Sequence, residues 1–323
     1  MNIDVNSLLE KIDKRLKELD EEDATVQKNE VLNEFKIETE SIKEQIQKIY
    51  EEYLYELNNM IGLEEVKSEI KKLLNYLIFI KKTSNKIKID SINLNMVFRG
   101  NPGTGKTTVA RLVGKILCDL GFLKSRKFLE TTPRDFIAEY IGQTAIKARK
   151  TIEKASGGLI LIDEAYTFAQ SMYKNGDSFV PEAITEIIKE MESLNTVFIF
   201  SGYSNKMDDF ITINPGIKSR IGFDITFKDY TKEELYMMLD RKIIKSGLKI
   251  SKKAKELAIE KIEANMTKKN FGNGRMIDNL FDEIIREHAS LNLYETDYNK
   301  LLLITENSIK NIKVQTERSM NFG

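Results

Sequence analysis

Cysteine and histidine are almost absent from this 323-residue chain, which holds one of each, Cys118 and His288. A lone cysteine excludes an internal disulfide and fits a reducing cytoplasm. One cysteine with one histidine also leaves no soft-ligand metal cluster and no Ser-His or Cys-His triad. Long apolar runs are missing too. The longest, Leu73 to Ile80, has eight residues flanked by lysines, far short of the roughly 20 needed to span a bilayer. Acidic residues at Asp4 and Glu10, with no apolar segment between them, give no sign of a secretion signal. Net charge is lacking as well, since 50 Lys/Arg balance 50 Asp/Glu. The balance is uneven along the chain: residues 1–57 carry 8 basic against 16 acidic side chains, leaving 42 against 34 for the remainder. An acidic segment on a mildly basic body, with no basic-aromatic stripe, argues against a nucleic-acid partner and fits a protein partner, packing against that body, or simply a solvated helical face.

What is present is enough apolar residue, 41%, to build two or three cores. From Val5 to Tyr53 the apolar positions recur at helical spacing, interrupted by Asp20 to Thr25, which predicts two amphipathic helices. A helix through Ile80 follows Met60-Ile61-Gly62-Leu63. Strand-like segments then alternate with helical ones: Leu94 to Arg99, Lys127 to Glu130, Leu159 to Asp163, Val197 to Phe200 and Asp224 to Phe227. Alternation of this kind predicts an α/β domain with a parallel five-stranded sheet between helices. From Thr231 the pattern becomes helical, opened by the capping box Thr231-Lys232-Glu233-Glu234, continued from Ser251, broken at Gly272-Asn273-Gly274-Arg275 and finished by a helix opened at Thr305. The expected division is an N-terminal helical arm over 1–57, an α/β domain over 58–229 and an α-helical lid over 230–323. His288 falls in a helical pattern and reads as structural.

The chemistry lies in two motifs. Gly100-Asn101-Pro102-Gly103-Thr104-Gly105-Lys106-Thr107-Thr108 follows the first strand, where a strand-to-helix loop can wrap backbone N–H groups around a β-phosphate. Lys106 meets the β/γ oxygens as a point charge and the Thr107 hydroxyl reaches a Mg2+ ion. Downstream, Leu159-Ile160-Leu161-Ile162-Asp163-Glu164 reads as a buried parallel strand ending in two carboxylates. Asp163 suits the metal's water shell, and Glu164 can polarise an attacking water. Together they predict ATP and Mg2+ as cofactors and ATP hydrolysis as the reaction.

The ordered motifs resemble the AAA+ ATPases, in the branch of stage V sporulation protein K and the red-type Rubisco activases. The strings that carry the resemblance are Ile61-Gly62-Leu63 with Val66-Lys67, the phosphate loop, Glu139 to Thr144, Ile162-Asp163-Glu164-Ala165-Tyr166, Ser201-Gly202-Tyr203, Asn214-Pro215-Gly216 with Ser219-Arg220, and Gly272 to Arg275. The resemblance implies a homohexamer in which Arg220 is an arginine finger for a neighbouring subunit's γ-phosphate; the alternative for Arg220 is a surface ion pair. It gives Arg275 the role of second sensor, the alternative being local hydrogen bonds at a helix start. Ile61 and Gly62 would set backbone against adenine, or merely begin the next helix. For the first sensor Ser201, Ser204 and Asn205 compete, with Asn205 preferred. Tyr140-Ile141-Gly142 resembles a pore loop that grips extended polypeptide, as against a buried structural tyrosine. Val180-Pro181-Glu182 departs from the Gly-Gln-Glu of this branch, which bears on the second loop near the pore. The function implied is a remodelling motor acting on a protein partner. The alternatives are a nucleotide-gated scaffold recruiting through the arm, and a nucleic-acid motor or loader.

Overall fold

The computed structural model describes residues 40, 43–83, 92–140, 142–175, 179–193, 195–268 and 271–312. The first amphipathic helix expected in the arm, and the break at Asp20 to Thr25, lie outside them. The chain divides into two compact units. One comprises Met1–Met60, Glu64–Arg99 and Thr107–Thr226; the other comprises Ile61–Leu63, Gly100–Lys106 and Phe227–Gly323.

The first unit opens with helix α1 (residues 43–58) and α2 (Glu64–Thr83). On α1 the apolar stripe Ile46, Tyr53 and Leu57 is buried. The Tyr53 hydroxyl donates to Asp119 Oδ2 at 2.6 Å, and Glu56 pairs with Lys115 at 3.1 Å. This half of the acidic segment therefore packs against the body. The sheet consists of β1 (Asn95–Gly100), β2 (Phe128–Thr131), β3 (Leu159–Ile162), β4 (Val197–Gly202) and β5 (Ile221–Phe227), in the order β2-β3-β4-β1-β5. Pairings β2–β3, β3–β4 and β1–β4 are parallel. β5 begins three residues earlier than its apolar pattern suggests, because Ile221 and Phe223 are only partly buried and alternate with exposed Gly222 and Asp224.

Helix α3 (Lys106–Asp119) lies over one face, where Gly114 approaches the Leu159 side chain. Ile160 and Ile162, pointing to the other face, join a core with residues of α4 (Thr144–Glu153), α5 (Tyr166–Asn175), α6 (Val180–Ser193), α7 (Ser204–Thr212) and α8 (Pro215–Ser219). Covered on both faces, β3 is apolar at every position, as a central parallel strand must be. Burying each of its side chains stabilises the fold by about 1.5–3 kcal/mol.

A largely buried carboxylate, Glu186, ties α6 to α4 through Arg149 at 2.7 Å and also takes Lys189 at 2.8 Å. The Arg149 hydrogen bond, assisted by Lys189, holds the Glu186 carboxyl below the ordinary range despite its burial. A lowered native value means that its contribution is complete above the unfolded pKa of about 4.3 and is lost as pH falls through the native value. Glu186→Gln should therefore flatten the acid limb of stability: its melting temperature should fall less than the parent's between pH 5 and 3 in a thermal-unfolding series.

In the second unit α9 (Lys232–Lys245), α10 (Lys252–Met266) and α11 (Gly274–Leu291) enclose an apolar core with α13 (Asn307–Lys310), which follows the short α12 (Tyr298–Leu301). Thr231 and Glu234 form the expected capping box, and Ser251 accepts from Ala254 N. The last helix starts two residues later than Thr305. A two-stranded parallel ladder, β6 (Lys249–Ile250) with β7 (Leu303–Ile304), is added to the helices. Two-residue strands carry no readable period, so only tertiary pairing reveals them. His288 is buried, with Nδ1 on Ser308 Oγ at 3.0 Å and Nε2 on the Leu301 carbonyl at 2.8 Å, a structural role.

Candidate nucleotide site

The loop between β1 and α3 is built on backbone conformations that side chains resist. Gly103 has φ +74°, and a Cβ there would stand 2.1 Å from the Gly272 carbonyl oxygen; no other residue fits. Lys106 Nζ donates to the carbonyls of Gly100 and Asn101 at 2.9 and 2.8 Å, and the Thr104 hydroxyl donates to Asn101 O at 2.8 Å. Asn101 is held in turn by the Asp229 carboxylate, at 2.9 and 3.0 Å. Asp229 also accepts from Asn273 Nδ2 at 2.8 Å, and Asn273 Oδ1 accepts from Tyr230 N at 2.9 Å. Tyr230 is buried, and that burial, with the nearby charge of Glu234, pushes its phenol up to about 12.

Ile61–Leu63 belongs to the same unit as this loop. Ile61 is buried, and a Cβ on Gly62 (φ +61°) would meet the Glu234 carboxylate. Thus Ile61, Gly62, Asn101, Pro102, Gly103, Thr104, Gly105, Lys106 and Arg275 fall in one unit. Arg275 sits exposed on the first turn of α11. Thr107 and Thr108, on the first turn of α3, fall in the other unit with Asp163, Glu164, Asn205, Arg220, Tyr140 and Gly142. Ile141 lies outside the described residues.

At the carboxyl end of β3, Asp163 Oδ1 accepts from the Ser201 hydroxyl and from Glu164 N, the latter at 3.0 Å. Both contacts fall on Oδ1. Glu164 is exposed and has φ +53°, a left-handed conformation that costs a non-glycine residue about 1–3 kcal/mol and that clusters at functional positions. Burial first, then the Glu164 charge, raises the phenol of Tyr166 above its ordinary range.

Sequence reasoning preferred Asn205 for the polar sensor, but Asn205 is exposed on the first turn of α7. Ser201, weighed beside it, is buried at the end of β4 and touches Asp163. Asn214 caps the start of α8, accepting from Gly216 N with Pro215 following, and this short helix ends at Arg220. The Arg220 guanidinium pairs with Glu192 and donates to Gly216 O at 2.9 Å, while buried Asn95 holds its carbonyl at 3.2 Å. Tyr140 is 67% exposed. The ends of its loop are pinned by Thr144 Oγ1 accepting from Ala138 N and by Lys147 donating to Arg134 and Ile137 carbonyls. Gly142 has φ +78° with open space around it.

No group of three or more His, Cys, Asp or Glu is placed to hold a metal among the described residues. Asp163 and Thr107 offer hard oxygen donors few in number, a set that suits a magnesium ion completed by phosphate oxygens and water. The sequence pattern gives no role to Asp229 or Tyr230, and marks Asn273 only as part of the break before α11. The one signal was the pair of glycines around Asn273.

Comparison with known proteins gives a consistent result. The model of the ATPase family associated with various cellular activities (AAA) matches residues 96–229, and that of the AAA lid domain matches residues 231–311. Stage V sporulation protein K of Bacillus subtilis (strain 168) is 35% identical over 278 residues, spanning 84% of this chain and 85% of the relative. The chloroplastic ribulose bisphosphate carboxylase/oxygenase activase of Cyanidioschyzon merolae (strain NIES-3377 / 10D) is 36% identical over 250 residues, 76% of this chain and 83% of the relative. Among solved structures, the FIGL-1 AAA domain in complex with ADP matches with TM-score 0.54 at 14% identity, covering 78% of this chain and 81% of that one.

Proposed function

We propose that this chain, which belongs to the AAA ATPases in the branch of stage V sporulation protein K and the Rubisco activases, spends the ATP it hydrolyses on pulling a protein partner through a homohexameric ring. Lys106 and the loop amides would hold the β/γ phosphates, and Ile61 and Gly62 would border the adenine. Thr107 and Asp163 would hold Mg2+, which when bound draws charge from the transferring phosphoryl group. Glu164 would take the proton of the attacking water, Ser201 or Asn205 would report the state of the γ-phosphate, and Arg220 and Arg275 would meet it as cations. Cys118 is buried and free, which suits a cytoplasmic setting. No helix among the described residues is long and apolar enough to cross a membrane.

The observation that carries the mechanical part is Tyr140. An aromatic side chain left exposed on a loop with fixed ends, beside a glycine in open space, does nothing for the core. Its apolar ring is suited to gripping any extended chain by contact rather than by sequence. The Cyanidioschyzon relative is by its name an activase of another protein, which supports a protein client here too. The test uses the client itself, captured with a hydrolysis-deficient chain in ATP. Tyr140→Ala should leave basal phosphate release within about twofold while abolishing ATP-dependent work on that client. Unimpaired work by the variant would rule out threading.

A further inference from the structure

Three consecutive carbonyls of the phosphate loop are each held from the C-terminal segment of the same unit. Pro102 O accepts from Asn273 Nδ2 at 3.4 Å, Gly103 O from Gly274 N at 3.0 Å, and Thr104 O from the Tyr230 hydroxyl at 3.2 Å. In a trans peptide the carbonyl and the following N–H lie in one plane and point in opposite directions. Fixing these carbonyls on one side therefore turns the amides of Gly103, Thr104 and Gly105 to the other. Those three amides form the concave donor surface that an anion needs.

We infer that Asn273, Gly274 and Tyr230 form a clasp that pre-sets the phosphate loop in its anion-binding conformation, and that Asn273 and Tyr230 are positioning residues for the β-phosphate although neither touches it. Asp229 makes the clasp stiff. Its carboxylate binds Asn101 and Asn273 together, so the first side chain of the loop and the turn before α11 share one anchor. Close approach completes it: a Cβ on Gly103 would meet Gly272 O, and one on Gly274 would stand 2.9 Å from Gly103 O. A carbonyl left without its clasp partner is free to rotate toward the anion side, carrying its neighbour's N–H away. Nucleotide affinity would then depend on residues more than 120 positions downstream in the chain.

The inference rests on the nucleotide-binding reading of the loop and can be separated from it. The full chain, as Asn273→Gly and as Tyr230→Phe, is titrated with ADP and, by competition, with AMP. Asn273→Gly keeps a residue that accepts the φ of +49° found there, and Tyr230→Phe keeps the ring in the core. Tyr230→Phe, which removes one hydrogen bond, should weaken ADP about fivefold, and Asn273→Gly, which removes the bond to Pro102 O together with those to Asp229 and Tyr230 N, by at least as much, with AMP changed less than twofold because AMP lacks the phosphate that the turned amides would meet. The double variant should lose less than the product of the two, since both act on one loop. Unchanged ADP affinity in both single variants, or equal losses for ADP and AMP, would overturn the clasp. Failure of the unaltered chain to bind ADP would sink the phosphate-loop reading and the clasp with it.

Discussion

Glu164→Gln is expected to lower ATP turnover by about 10²- to 10⁴-fold while ATP still binds. The residue follows a strand buried at every position, and its neighbour Asp163 is fixed through Ser201 and the Glu164 amide. Gln matches Glu in shape, so the left-handed backbone at φ +53° and the contacts of Asp163 carry over. What disappears is the capacity to accept a proton from water. A thousandfold loss corresponds to about 4 kcal/mol of transition-state stabilisation, too large for a packing change at an exposed side chain. Phosphate release at saturating Mg-ATP, read beside ATP affinity, separates the two effects. Turnover within a few fold of the parent would remove Glu164 from the chemistry.

Arg220→Ala should cost a comparable amount, about 10³- to 10⁵-fold if the guanidinium stabilises charge on a neighbour's γ-phosphate. In this structure the same guanidinium pairs with Glu192. The pair is partly exposed and worth little to the fold, so a large loss of turnover with little change in melting temperature would mark a role across the subunit seam. Mixing supplies the decisive measurement. Arg220→Ala chains keep Glu164 and Glu164→Gln chains keep Arg220, so mixed assemblies rebuild intact seams from two inactive parents. Recovered phosphate release is the expected result. Full activity of Arg220→Ala alone would leave Arg220 with the local ion pair only.

The elements and motifs most legible in the sequence are those whose cause is local. The apolar run of β3 demanded burial on both faces, the Thr231 and Ser251 caps marked helix starts within one residue, and Gly103 and Gly105 marked the loop between β1 and α3. What escaped depends on contacts between distant segments. Nothing near Asp229 hints that its carboxylate joins Asn101 to Asn273, because each partner alone is an ordinary turn residue. Ser201, Ser204 and Asn205 compete for the sensor in the sequence, with Asn205 preferred. The structure adds where they stand: the Ser201 hydroxyl lies against Asp163, and Asn205 is exposed. For residues 43–58 composition allowed a partner, the body or a solvated face, and burial of Ile46, Tyr53 and Leu57 shows packing against the body.

That docked helix has a practical side. Tyr53 and Glu56 are fastened to Asp119 and Lys115 on α3, the helix whose first residue is Lys106. From residue 43 onward α1 is thus rooted on the helix that starts at the phosphate loop. A spectroscopic label on the outer face of α1, at exposed Lys43 or Gln47, rides with α3 and reads out its movement without touching the loop.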